Sequence, residues 1–149
     1  MEGVLLEILS SFKNGYVCGQ DNPIGLKLNI FKEDDEVRAE FIPNENHQGY
    51  KGIVHGGIVF SIMDEVMSRA VMVTKGIMAL TVEINIKYRK KAKIDNKMIF
   101  TSKISKDSGR IIETEGKALS ENGELLAEAK GKFYEISDRM KEKITSYLY

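Results

Sequence analysis

The segment from Gly49 to Val73, GYKGIVHGGIVFSIMDEVMSRAVMV, constrains this chain more than any other. From Ile58 onward it carries Ile58, Val59, Phe60, Ile62, Met63, Val66, Met67, Ala70, Val71, Met72 and Val73, and no proline. At about 100° per residue, the polar positions Ser61, Asp64, Glu65, Ser68 and Arg69 gather in one arc of roughly 140°. A helix with so narrow a polar stripe is buried on most of its circumference, so the rest of the chain has to wrap it. A carboxylate in that stripe, such as Asp64, is only partly solvated. His55, Gly56 and Gly57 stand at the start of the helix. The first backbone N–H groups of a helix have no internal acceptor and lie at the positive end of its dipole. That point therefore favours a developing negative charge.

The flanking sequence supplies the wrapping. Leu26, Leu28 and Ile30 alternate with Lys27 and Asn29, and Val37, Ala39 and Phe41 alternate with Arg38 and Glu40. The period of two predicts two strands, joined as a hairpin through a charged turn at Lys32 to Asp35. After a break at Thr74 to Gly76, Leu80, Val82, Ile84, Ile86 and Tyr88 alternate with Thr81, Glu83, Asn85 and Lys87, the clearest strand pattern in the chain. Met98 to Ser105, Arg110 to Ser120 and Leu125 to Ile136 follow as strands, separated by turn formers at Asp107-Ser108-Gly109 and Asn122-Gly123. The spacing predicts a four-strand meander after the helix. Gly3 to Phe12 has helical periodicity, and Asp138 to Tyr147 reads as a polar helix. The expected class is α+β: a mostly antiparallel sheet around one long helix. Residues 1–149 are expected to form one domain, with a core of about 16–136 and short terminal helices.

Composition removes several function classes. The 22 basic and 22 acidic residues cancel, which disfavours a nucleic-acid partner. No apolar run is long enough for a membrane span. Glu2 and Glu7 lie where a signal peptide would be basic, so a cytoplasmic location is expected. One cysteine, Cys18, and two histidines argue against an internal disulfide and a His/Cys zinc site, so no metal is expected. A net charge of zero fits an oligomer better than a lone monomer.

The run Asn46-His47-Gln48-Gly49, followed by Val54-His55-Gly56-Gly57-Ile58 and by Asp64 nine residues after His55, resembles the hotdog-fold acyl-CoA thioesterase superfamily. It is most similar to the branch of the phenylacetate-pathway thioesterases. Cys18-Gly19, Asn22-Pro23 and Gly25-Leu26 resemble a subgroup of that branch. The resemblance covers roughly residues 16–136. It implies an antiparallel sheet wrapped around the long helix, with two subunits pairing edge to edge as a dimer, or further as a tetramer. Asp64 then matches the general base or nucleophile. Gly56, with Gly57, matches the backbone N–H that polarises the thioester carbonyl. His55 matches the residue that orders this turn and touches the substrate. Thr81 matches a Ser/Thr position beside the site, and Ser68 a hydroxyl that helps hold water. Relatives often carry asparagine six residues before the histidine, where this chain has Gly49; Gln48 is the nearest amide and joins the implied site. Asp64 of one subunit would face Gly56 of the other. The implied ligand is a coenzyme A thioester, with no separate cofactor. Arg89, Lys90 and Lys91, extended by Lys93, form a candidate patch for its phosphates.

Each residue also has a plainer reading. Asp64 reads as a structural acid, His55 as an ordered turn residue, and Gly56-Gly57 as room for close packing. Arg89 to Lys93 reads as a solvated strand end, Cys18 as a packed inert thiol, and Glu65 as half of a surface or interface ion pair. At the level of function, a non-catalytic acyl-CoA-binding protein is the alternative. A hotdog dehydratase is a third reading, though a His-Gly-Gly start to the helix is not its usual form.

Overall fold

A computed structural model describes residues 7–9 and 12–145 of the chain. Seven strands form one antiparallel sheet: β1 (Glu7–Ile8), β2 (Ile30–Glu33), β3 (Glu36–Phe41), β4 (Ala79–Tyr88), β5 (Met98–Asp107), β6 (Ile111–Ser120) and β7 (Leu125–Glu135). Their spatial order is β1-β2-β3-β5-β6-β7-β4. The helix α1 (Gly56–Lys75) lies across one face, and a second helix, α2 (Asp138–Thr145), follows β7. This is the sheet-around-helix arrangement that the hotdog resemblance implies.

The helix is held as its sequence demands. Ile62, Met63, Val66, Met67 and Val71 are fully buried against the sheet, with Phe100, Ile112 and Phe133 beneath them. Two glycines make the close approach feasible. A Cβ at Gly116 would lie 2.5 Å from Met63 Sδ, and one at Gly131 would lie 2.7 Å from Met67 Cε. Gly76 ends α1 in the left-handed conformation (φ 67°) and donates its N–H to the Met72 carbonyl.

Four expectations are corrected. Glu7 and Ile8 pair with Lys32 and Phe31 as strand β1, so the expected N-terminal helix does not hold there; Gly3 to Leu6, Ser10 and Ser11 lie outside the described residues. β2 begins at Ile30 and runs through Glu33, leaving Asp34 and Asp35 as the turn. The segment before it is not a strand, and Lys27 there has φ 54°. The four strands after α1 are not a simple meander. β5, β6 and β7 are, but β4 pairs with β7 at the sheet edge and β5 pairs with β3. The tight turns carry Gly109 and Gly123 at positive φ and join neighbouring strands directly, whereas the β4–β5 connection is nine residues long and places its own turn, with Asp95 at φ 68°, partway along a crossing. It crosses three strand spacings, about 14 Å, which nine residues span easily. Finally, Arg69, placed by helical angle in the polar stripe, is 4% exposed. Its Nε donates to Glu65 Oε1 at 3.0 Å, and the Cys18 thiol donates to the same oxygen at 3.5 Å. The N-terminal loop carrying the buried Val17 and Cys18 covers this face.

The β4–β5 connection positions the basic residues. Val54 N–H donates to the Ala92 carbonyl (2.8 Å), Ile94 N–H to Gly52 (3.2 Å) and Asp95 N–H to Pro43 (2.7 Å). These bonds pin Arg89 to Lys93 beside the start of α1.

Beneath the helix, Thr114 is wholly buried, and its Oγ1 has no hydrogen-bond partner among the described residues. A buried hydroxyl without a partner costs more than a methyl of similar shape. Thr114→Val is therefore expected to raise stability by about 1 kcal/mol, read as a higher urea midpoint at unchanged slope. A lower midpoint would show that the hydroxyl is satisfied.

Candidate active site

The start of α1 is built by His55. It is the N-cap, and its Nδ1 accepts the Gly57 N–H at 2.8 Å. Its own N–H donates to the His47 carbonyl at 2.8 Å, which ties the cap to the short 3-10 turn Glu45–His47. Gly56, the first helical residue, has no acceptor for its N–H among the described residues. That N–H is left at the positive end of the dipole.

A cavity of about 660 Å³ opens at this point, lined by His55, Gly56, Tyr88, Arg89, Lys90 and Lys91 among others. Arg89 pairs with Glu128 and Lys90 with Glu124, each at 2.9 Å. Lys91 has no ion-pair partner among the described residues and lines the same cavity. The three expected phosphate-binding cations are thus gathered at the helix start, two of them already neutralised. Lys93 is exposed next to them, its backbone bridged to Ile53.

Asp64 sits two turns along the same helix. Its Oδ1 accepts the Thr81 hydroxyl at 2.7 Å. Burial pushes the Asp64 carboxyl above the usual carboxylate range; the Thr81 hydrogen bond opposes this, and the neighbouring Glu65 carboxylate adds to it. A carboxylate held this way is a stronger base than one in open water. Removing the donor removes the opposing influence. Thr81→Val is expected to move the acid limb of the kcat/KM profile to higher pH, with turnover kept above it. A pH–rate profile with an unmoved limb would show that the hydroxyl does not tune Asp64.

Thr81 reaches Asp64 because of a bulge. By strict alternation, Thr81 would face away from Ile84, Ile86 and Tyr88. The β4–β7 register shifts between Thr81 and Glu83. As a result Thr81, Ile84, Ile86 and Tyr88 lie opposite Phe133, Gly131, Ala129 and Ala127, all on the helix side. Leu80 and Val82 are turned outward, 51% and 59% exposed on an edge strand.

The other expected site residues lie apart. Gln48 Oε1 accepts the Gly52 N–H at 2.9 Å, which closes the loop before the helix. Gly49 lines the cavity instead, and a Cβ there would lie 3.4 Å from His55 Cδ2. Ser68 lines a separate cavity of about 240 Å³ with Cys18, Glu65, Arg69 and Leu80. Burial, reinforced by the Glu65 carboxylate, raises the Cys18 thiol, so it stays protonated. Tyr88, which lines the larger cavity and donates to the Gly56 carbonyl at 2.7 Å, was missed by sequence reasoning. Its signal was its place at the end of the strongest strand, next to the basic cluster. Among the described residues, no three His, Cys, Asp or Glu side chains come together as metal ligands. No helix of the described residues is long and apolar enough to cross a membrane.

The family model described as "Thioesterase superfamily" matches residues 51–127, just over half of the chain, from the loop before α1 into β7. The chain belongs to the thioesterase superfamily. An uncharacterized protein of Schizosaccharomyces pombe is 33% identical over 102 residues, 65% of this chain and 58% of that protein. Acyl-coenzyme A thioesterase 13 of Mus musculus is 30% identical over 73 residues, 48% of this chain and 52% of that protein. The chain thus spans between half and three-fifths of the length of these relatives. The fold is shared with the structure of smu.793 from Streptococcus mutans UA159 bound to acetyl CoA (TM-score 0.68, 19% identity, 74% of this chain and 89% of that one). Membership in the superfamily and the sheet wrapped on α1 agree: this is a hotdog thioesterase-superfamily domain.

Proposed function

We propose that this protein hydrolyses acyl-CoA thioesters to a free acid and coenzyme A. The observation that carries the reading is Asp64, a half-buried carboxylate with a raised pKa, held by Thr81 on the seam between α1 and an uncovered edge strand. A thioester is already a reactive acyl donor, so it needs a positioned base or nucleophile and a donor for the oxyanion, and no metal or separate cofactor. Asp64 supplies the first and the Gly56 N–H the second. Coenzyme A enters at the larger cavity, where Lys91, Arg89 and Lys90 meet its phosphates and His55 and Tyr88 line the wall. The mouse relative's name and the acetyl-CoA in the Streptococcus mutans structure support this class of ligand.

The two groups cannot act on one carbonyl from one chain. Asp64 lies eight positions after Gly56 on α1, about 12 Å along the axis at 1.5 Å per residue. The carbonyl oxygen needs the N–H at about 3 Å, and the carbonyl carbon needs the carboxylate, or the water it activates, at roughly 3–3.5 Å. The reaction therefore takes a homodimer in which Asp64 of one subunit faces Gly56 of the other. The unpaired edge of β4, with Leu80 and Val82 exposed, supports an edge-to-edge pairing, and two such dimers would give a tetramer. A cytoplasmic protein without nucleic-acid or membrane partners belongs to the same reading.

The test is thiol release from short-, medium-, long-chain and aryl acyl-CoAs, with the mass in solution measured alongside. Hydrolysis by a dimer or tetramer supports the proposal. Thermal stabilisation by an acyl-CoA without thiol release would identify a binding protein instead. A monomer with full turnover would overturn the shared site.

A further inference from the structure

We propose that Tyr88 is a positioning residue for this site: through the Gly56–Gly57 peptide group it holds His55 as a fixed N–H donor facing the larger cavity. Three groups form a continuous chain. The Tyr88 hydroxyl donates to the Gly56 carbonyl oxygen at 2.7 Å. That carbonyl belongs to the same peptide group as the Gly57 N–H, which donates to His55 Nδ1 at 2.8 Å. A ring nitrogen that accepts a hydrogen bond carries no proton, so the neutral imidazole keeps its proton on Nε2. Donation into a peptide carbonyl polarises the amide and strengthens its N–H, so the two bonds reinforce each other.

The surroundings keep both ends in place. Tyr88 is the last residue of β4 and is registered opposite Ala127, so its ring comes off a paired strand. Burial holds its phenol above its ordinary value, and the hydroxyl remains a donor across neutral pH. Gly49 lies against the imidazole, where a Cβ would stand 3.4 Å from His55 Cδ2, in ordinary van der Waals contact. Within this relay His55 is a donor of set orientation rather than a proton-abstracting base. The Tyr88 hydroxyl also fixes the first turn of α1, and with it the direction of the Gly56 N–H.

The effect on turnover rests on the thioesterase reading, whereas the protonation state of His55 does not. The experiment therefore reads both. Histidine-selective 15N NMR suits a chain with two histidines. His47 Nδ1 accepts the Asn44 N–H at 2.9 Å, independently of Tyr88, and serves as an internal reference. In the wild type both neutral rings are expected in the Nε2–H form. In Tyr88→Phe the His55 nitrogens are expected to shift toward the average of the two tautomers, with His47 unmoved. kcat for the best acyl-CoA should fall about tenfold with KM within twofold. Tyr88→Met, which also lacks the hydroxyl, provides a second variant should the first fail to fold. A wild-type His55 protonated on Nδ1 overturns the proposal whatever the variants do. So does a kcat loss with His55 unmoved, a rise in KM alone, or no change in either. Absence of hydrolysis by the wild type would overturn the thioesterase reading and leave the tautomer test standing.

Discussion

Asp64→Asn is expected to lower kcat for thioester hydrolysis by about 10²–10⁴-fold while making the folded protein more stable. The two effects have one origin. Burial raises the Asp64 carboxyl above its ordinary range, so the folded state binds its proton more tightly than the unfolded chain does. The stabilisation that follows is fully present below the usual carboxylate pKa and is lost as pH rises through the raised value in the folded state. At neutral pH the wild type carries a buried negative charge as a destabilising term. Asparagine removes the charge and keeps an oxygen to accept the Thr81 hydroxyl. Thermal melts should place the variant above the wild type at pH 7, with the gap closing in acid. Assayed side by side, an Asn variant as active as the wild type would remove Asp64 from the chemistry. One that is inactive but less stable at pH 7 would make its role structural.

Gly56→Pro tests the oxyanion donor with unusual economy. Proline is well tolerated at the first position of a helix, where the missing N–H has no intrahelical acceptor. It also restricts the residue before it to extended conformations, and His55 already has φ −60° and ψ 132°. The variant should therefore fold, keep the His55 cap on Gly57 and lack the N–H assigned to the developing oxyanion, its added Cβ standing in van der Waals contact with the Tyr88 hydroxyl at 3.4 Å. Removing one such donor is expected to cost about 10²–10³ in kcat. Full turnover in a folded Gly56→Pro enzyme would assign the oxyanion to another group. A collapse of the fold would show in the far-ultraviolet circular dichroism and would contradict the backbone argument itself.

Much of the candidate site was legible because it lies on one continuous helix. The apolar excess around Ile62, Met63, Val66 and Met67 required burial, and the narrow polar stripe singled out Asp64. The spacing of His55, Gly56 and Asp64 carried the resemblance that the family model bears out. The turns at Ser108-Gly109 and Asn122-Gly123 were legible for the same local reason, since few residues other than glycine adopt their backbone conformation. The expectations that the structure corrects depend on contacts remote in sequence. Glu7 and Ile8 lie in a stretch of helical periodicity but have strand neighbours in space, because β2 offers them an open edge. Arg69 falls in a polar arc by angle, yet the N-terminal loop closes over it and Glu65 neutralises it.

The sequence by itself determined that a sheet must wrap α1 and that a carboxylate would stand in its one polar seam. These follow from periodicity and from local backbone preference, which any segment expresses without help. The tertiary structure alone decided the sheet order and the face that Thr81 presents. β4 runs at the free edge, and the nine-residue connection after it is long enough to cross to β5. The bulge at Val82 then reverses the alternation, bringing Thr81 to Asp64 and leaving Tyr88 on Gly56. Neither outcome is written in the alternation itself, because a bulge and a crossover cost little locally and are fixed by what the strand has to meet across the fold.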